Sequence, residues 1–224
     1  IRAELKDGGE FSVKRVTLAL DVWQSLLHMR WQFRDLTFWQ LRFRTNTPIT
    51  SGGGNDSLEA SHISDLFLRQ FDHFDLRDSE VSFLTPSGQR AELAIPQLTW
   101  LNDPRRHRAE GLVSLSSLTG QHGVMQVRMD LRDDEGLLSN GRVWLQADDI
   151  DLKPWLGKWM QDNIALETAQ FSLEGWMTID KGDVTGGDVW LKQGGASWLG
   201  EKETHTLSVD NLTAHITREN PGWQ

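Results

Sequence analysis

The sequence predicts a mainly β protein: a long, twisted antiparallel sheet with one apolar face, plus about three short helices. Three observations predict it. Apolar residues recur with a period of two along most of the chain. Turn-forming clusters separate these runs at short, regular intervals. Only three stretches carry helical spacing instead.

In chain order, VKRVTLAL sets Val16, Leu18 and Leu20 on one face, with Val13 across an expected bulge at Lys14–Arg15. WQF adds Trp31 and Phe33, and WQLRF adds Trp39, Leu41 and Phe43. Leu93 and Ile95 follow, then Leu98 with Trp100, Val113 with Leu115, and Val127, Met129 and Leu131 after Met125. Val143 with Leu145, Phe171, Leu173 and Met177, and Val189 with Leu191 continue the pattern. Strict alternation means strands with one buried and one wet face. Asp7-Gly8-Gly9, Pro86-Ser87-Gly88, Asn102-Asp103-Pro104, Asp133 to Gly136, Asn140-Gly141 and Gly186-Gly187 fall between runs. Short connections of this kind predict an antiparallel meander of about a dozen strands.

The helical stretches are equally specific. Asp21 can cap VWQSLLHM, where Trp23 and Leu27 share a face. Ser61 can cap HISDLFLRQF, with Ile63, Leu66, Phe67 and Phe71 on one side. Pro154 suits a first helical position before Trp155 and Trp159, whose shared face is expected to form a rim or cover an end of the trough. A Gly-rich loop is expected over 46–56, with the remaining meander over 57–224 and no domain-sized linker. Residues 1–224 therefore read as one continuous segment.

Composition excludes several functions. The formal net charge is −9 with pI near 5.2, which argues against a nucleic-acid partner. The absence of Cys removes disulfides, thiolate catalysis and Cys-ligated zinc. The opening residues, IRAELKD, read like the middle of a strand, so the chain is expected to be a piece of something longer, with any membrane anchor outside it.

Searches for chemistry return no catalytic residue, no metal site and no cofactor site. No G-x-S-x-G, H-E-x-x-H or G-x-G-x-x-G occurs. Gly195 to Gly200 has P-loop spacing, but Glu201 stands where a Lys must reach phosphate. The carboxylate clusters at 133–135 and 148–151 lack a complete calcium-loop pattern and read as solvated turns. Arg105, Arg106 and Arg108 around His107 read as a wet hairpin tip.

What remains informative is the architecture. One sheet of this size has an apolar face that must be covered, and only three short helices are available, so either the sheet rolls onto itself or its apolar face stays open as a trough. An apolar trough left open is a ligand site that suits long alkyl chains.

The stretch FSVKRVTLALDVWQSLLHMRWQFRDLTFWQLRFR, then RDSEVSFLTPSGQRAELAIPQLTWLND and VWLQADDIDLKPWLGKW, resembles AsmA-like proteins in the order of its motifs. The resemblance covers essentially the whole chain, with an opening module near 1–45. It implies that the sheet is curled into an open half-pipe with an apolar concave face, a β-groove related in form to bridge-like lipid transfer proteins, with no catalytic residues. It implies phospholipid as the ligand, carried between inner and outer membrane to support the outer-membrane barrier. It also implies a periplasmic body of an inner-membrane-anchored protein in a Gram-negative bacterium. Further segments of the same protein are expected to pair with its edge strands.

On this reading the strand residues named above from Val16 to Leu191, Trp39, Leu98, Trp100 and Met125 apart, line a lipid groove. Two other classes remain open on the residues. One is a carbohydrate-binding or adhesin-like β protein, for which Trp144, Trp176 and Trp190 have the out-of-phase parity that a wet-face site requires. The other is a structural scaffold that holds no lipid.

Overall fold

The computed structural model describes residues 1–4, 8–29, 31–48, 58–84, 90–115, 124–151, 165–219 and 222–223. Their strands are β1 (Arg2–Glu4), β2 (Glu10–Ser12), β3 (Arg15–Leu20), β4 (Phe33–Trp39), β5 (Arg42–Pro48), β6 (His73–Leu84), β7 (Arg90–Asp103) and β8 (Arg106–Leu115). Then come β9 (Met125–Arg132), β10 (Asn140–Asp151), β11 (Ala165–Asp180), β12 (Asp183–Leu199), β13 (Thr204–Val209), β14 (Leu212–Glu219) and β15 (Gly222–Trp223). Helix α1 (Val22–His28) lies between β3 and β4, and α2 (Leu58–Asp65) runs into a π-helical turn, Leu66–Gln70.

These fifteen strands form one sheet that does not close into a barrel. From β6 to β12 the strands are neighbours in sequence order and antiparallel, as alternation with short turns predicts. Open, strongly twisted sheets of this many strands tend to curl.

The first strands depart from the expected meander. Both β4 and β5 run parallel to β6, pairing Phe38 with Leu76 and Phe43 with Val81. A parallel pairing needs a long crossover, and α2 with its π-helical turn lies on that connection. Residues 46–48 of the expected loop belong to β5, which continues to Pro48, and the rest of that loop lies outside the described residues. Ser61 lies inside α2, which starts three residues earlier at Leu58. The helix expected after Pro154, with Trp155 and Trp159, lies outside the described residues. Asp21 does cap α1: its Oδ1 accepts from Gln24 N at 3.1 Å.

A crease crosses the early strands at matched positions. Val13 and Lys14 interrupt β2 and β3, Gln40 (φ 51°) separates β4 from β5, and Asp78 (φ 47°) sits within β6. At the crease the Ser79 hydroxyl accepts from Leu41 N at 3.2 Å and donates to the Arg77 carbonyl at 3.0 Å. The register between β7 and β8 shifts between Ala94 and Gln97. Left-handed and bulged residues invert the alternation, which re-aims every side chain beyond them. Hence Leu36 and Phe38 enter the core while Trp39 faces the other side, out of phase with Leu41. Trp39 instead packs under Arg15, 4.5 Å from its ring, and donates to the Thr17 hydroxyl at 3.3 Å.

Candidate functional site

Directly opposed residues of paired strands share a face, so the registers trace rows of side chains across the sheet. One row runs Leu76, Leu98, Gly111, Val127, Leu145, Gly175, Val189, Ala214. A second runs Phe74, Trp100, Ala109, Met129, Val143, Met177, Gly187, Ile216. A third runs Val113, Met125, Ala147, Leu173, Leu191, Leu212. All three rows lack charge and hydrogen-bonding side chains, apart from the indole N–H of Trp100. Eight strands at about 4.8 Å make a strip roughly 34 Å long, and three rows make it about 14 Å wide. At Gly111 a Cβ would collide with the Gln97 carbonyl oxygen, so only glycine fits that place beside the bulge.

The expected lining residues fall on this floor in different states. Leu41, Ile95, Val113, Val127, Leu131, Val143 and Phe171 are buried. Phe33, Phe43, Leu93, Met129, Leu145, Leu173 and Met177 are half-buried and pack against that core. Val189 and Leu191 are half-buried. Leu115 ends β8, opposite Leu93. Val16, Leu18 and Leu20 oppose Phe38, Leu36 and Phe33, which places them on the floor side of the sheet. They are nonetheless 37–58% exposed, because β3 is an edge strand. Trp31 precedes β4 and is exposed, off the floor.

One end of the floor is covered. Phe67 and Phe71 of the crossover meet Phe38 (4.8 and 6.0 Å between centroids) and Phe74 (5.1 and 6.5 Å). Phe33 adds an edge contact to Phe71, and Phe74 stacks on Trp100. Asn102 anchors this plug to the sheet. Its Nδ2 donates to the carbonyls of Phe67 and Phe71 at 2.7 and 2.8 Å, while its Oδ1 accepts from Trp100 Nε1 at 2.6 Å. His107 Nδ1 also reaches that oxygen at 2.6 Å, and its Nε2 lies 2.9 Å from Asp133.

The reading of His107 as part of a wet tip is therefore corrected: the residue is 1% exposed. Flanking arginines hid it, because a strand places consecutive residues on opposite faces. Arg106 turns out to Asp130, with bonds of 2.6 and 2.9 Å, and Arg108 to Asp103. The Arg106 guanidinium holds the Asp130 carboxyl below its ordinary range. Asp133, read as a solvated turn residue, is a partner of His107 and also accepts from Leu138 N.

The opposite face is wet. Trp144 donates to Glu174 at 3.0 Å beneath Arg128, and Trp190 donates to Asn211 at 2.6 Å beside Lys192. Lys192 and the Trp144 N–H together hold the Glu174 carboxyl low. Trp176 is half exposed between them, as its parity requires. Among the described residues no group of His, Asp and Glu is placed to hold a metal ion. No described helix is long and apolar enough to cross a membrane.

The family model for YhdP protein matches residues 1–224. The chain belongs to the YhdP protein family. It is 99% identical over all 224 residues to the Escherichia coli (strain K12) protein named intermembrane phospholipid transporter YhdP. The chain spans 18% of that relative's length. No solved structure matches it. Family membership does not favour a carbohydrate-binding reading of the outer-face tryptophans.

Proposed function

We propose that this chain is one continuous segment of a lipid conduit, an open half-pipe whose floor carries phospholipid acyl chains between the inner and outer membrane. The observation that carries the reading is the unbroken apolar floor: three rows without a charge, on a single sheet with no second sheet over them among the described residues. The name of the Escherichia coli relative supports the choice of ligand. The conduit has no catalytic step. It belongs to a periplasmic body held to the inner membrane by an anchor elsewhere in the longer protein, and further segments of that protein pair with its edge strands. Its work supports the outer-membrane barrier.

Transport of this kind depends on the floor as a whole. A charge there must be desolvated wherever an acyl chain passes, and an unpaired buried charge costs several kcal/mol. About 3 kcal/mol already lowers local occupancy more than a hundredfold. The test is photocrosslinking to phospholipid from Leu191 on the floor and from Asp188 on the outer face, in native chain and in Leu173→Asp. Crosslinks from Leu191 alone, lost in a folded Leu173→Asp chain, are expected. Equal crosslinking from both faces, or an unchanged signal in the variant, would overturn the reading.

A further inference from the structure

Helix α1 is built inside out. At about 100° per residue, Val22, Trp23, Leu26 and Leu27 occupy one arc and Gln24, Ser25 and His28 the other. Such a helix ordinarily turns its apolar arc to the core, but here no residue of the helix is buried and Ser25, on the polar arc, is the one half-buried residue of it. The Ser25 hydroxyl donates to the Asp21 carbonyl at 2.6 Å and accepts from Gln32 N at 2.9 Å. Val22, Trp23, Leu26, Leu27, Met29 and Trp31 are 57–91% exposed. Asp21 N donates to the Gln32 carbonyl at 2.9 Å, which closes the base of the helix and makes it the tip of the β3–β4 hairpin.

We propose that this tip docks on an anionic phospholipid bilayer, with the apolar arc of α1 seated at the boundary between headgroups and acyl chains. Charge points to that occupant. Residues 14–34 carry Lys14, Arg15, Arg30 and Arg34 against Asp21, net +3 within a chain of net −9. Asp21 is itself neutralised by Arg34 at 3.2 Å. Two tryptophans, three aliphatic residues and a methionine above a basic base are the composition of an interfacial anchor. Position points the same way. Leu20, Leu18 and Val16 lead from the tip along the free edge of the sheet on the floor side, opposite Phe33, Leu36 and Phe38. The crossover plug covers Phe33 and Phe38 beside this strip, so the strip extends the apolar surface of the tip rather than the floor, and the docking does not depend on the conduit reading.

The chain has no Cys, so Leu27→Cys and Gln24→Cys each give a single attachment point for an environment-sensitive fluorophore. The probes are vesicles of phosphatidylglycerol with phosphatidylethanolamine, and vesicles of phosphatidylcholine alone, added to the full chain. A blue shift at position 27 and none at 24, stronger on the anionic vesicles and weakened by salt, is expected. Leu26→Asp combined with Leu27→Asp, both at exposed places, should keep the circular dichroism of the native chain and weaken vesicle binding by about tenfold or more. Equal responses at 24 and 27, no response at either, or unchanged binding of the double variant would overturn the proposal. So would a blue shift at 27 that follows protein concentration without vesicles, which would mark a second copy as the occupant. Lipid extracted from the purified chain and identified by mass spectrometry reads the floor separately. Docking without retained lipid would sink the conduit, and retained lipid without docking would sink the tip.

Discussion

The two ends of the apolar face are made of the same residue types and meet opposite fates. At the β4–β7 end, Leu36, Phe74 and Leu98 are 3–5% exposed beneath the crossover helix. At the β12–β14 end, Leu207 and Leu212 are about half exposed on the same side of the same sheet. The difference is the lid. Where the chain supplies Phe67 and Phe71, the face becomes a core and supports stability. Where it supplies none among the described residues, the face remains surface whose burial is left to another molecule.

The comparison breaks most sharply under truncation. Phe74→Ala removes a ring in contact with four other aromatic side chains and should cost about 3–5 kcal/mol. Leu212→Ala, at the open end, should cost under about 1 kcal/mol. Urea unfolding of both variants checks this, and equal costs would mean that the two ends are equally covered in solution. Next in size is Asn102→Ala, which leaves the Phe67 and Phe71 carbonyls and the Trp100 N–H without their partner. Losing these bonds predicts a cost of about 2–4 kcal/mol. Amide exchange should quicken across Leu66–Gln70 more than across β12. Uniform quickening would mean that Asn102 holds the sheet, not the plug.

How far these ends were legible in the sequence depends on what sets each feature. Alternation in β9, β10 and β11 is a local property, so Val127, Met129, Val143 and Leu173 could be placed on one face from spacing alone. The crease was not legible. Nothing in WQLRF announces that Gln40 takes φ 51°, and without that turn Trp39 and Leu41 read as one face. Parallel pairing of β5 with β6 is a tertiary choice, and helical spacing in 61–71 could not say which face the helix would cover. Asn102 and His107 sat in a hairpin rich in Asp, Pro and Arg, where composition signals water. The one available hint was the period of two, which sets Trp100, Asn102 and His107, through the tight turn, on the same side as the core.

A third prediction sharpens the comparison at the open end. Leu212→Asp should leave the unfolding midpoint nearly unchanged, since the residue is half solvated already, and should still reduce phospholipid crosslinking from Leu191, its neighbour in the same row. Loss of stability without loss of crosslinking would reverse the roles assigned to the two ends.

The smallest effect is electrostatic. Asp130 is held below its ordinary value by Arg106, so the pair stabilises the fold above the usual aspartate range, and that stability is lost as pH falls through the lowered value. Both side chains are nearly half exposed, so solvent screens the pair. Arg106→Ala should narrow the difference in urea midpoint between neutral and acid pH, with little change at the acid limit. An equal loss at both would show that Arg106 acts through packing.

The rows of the floor also restrict how this sheet can change length. A residue inserted into a strand of period two sends everything beyond it to the opposite side. A single insertion in β10 would exchange Val143 and Leu145 for Arg142 and Trp144, whereas two insertions would restore the face. An odd change survives only where a bulge absorbs it. Between β11 and β12 there are three such places, at Leu166/Thr168, Ser172/Leu173 and Thr178/Ile179. Between the last two of them Leu191, Val189 and Gly187 still oppose Leu173, Gly175 and Met177. The strands of this protein can therefore grow or shrink by even steps freely, and by odd steps only where one of the two paired strands buckles to keep count with its neighbour.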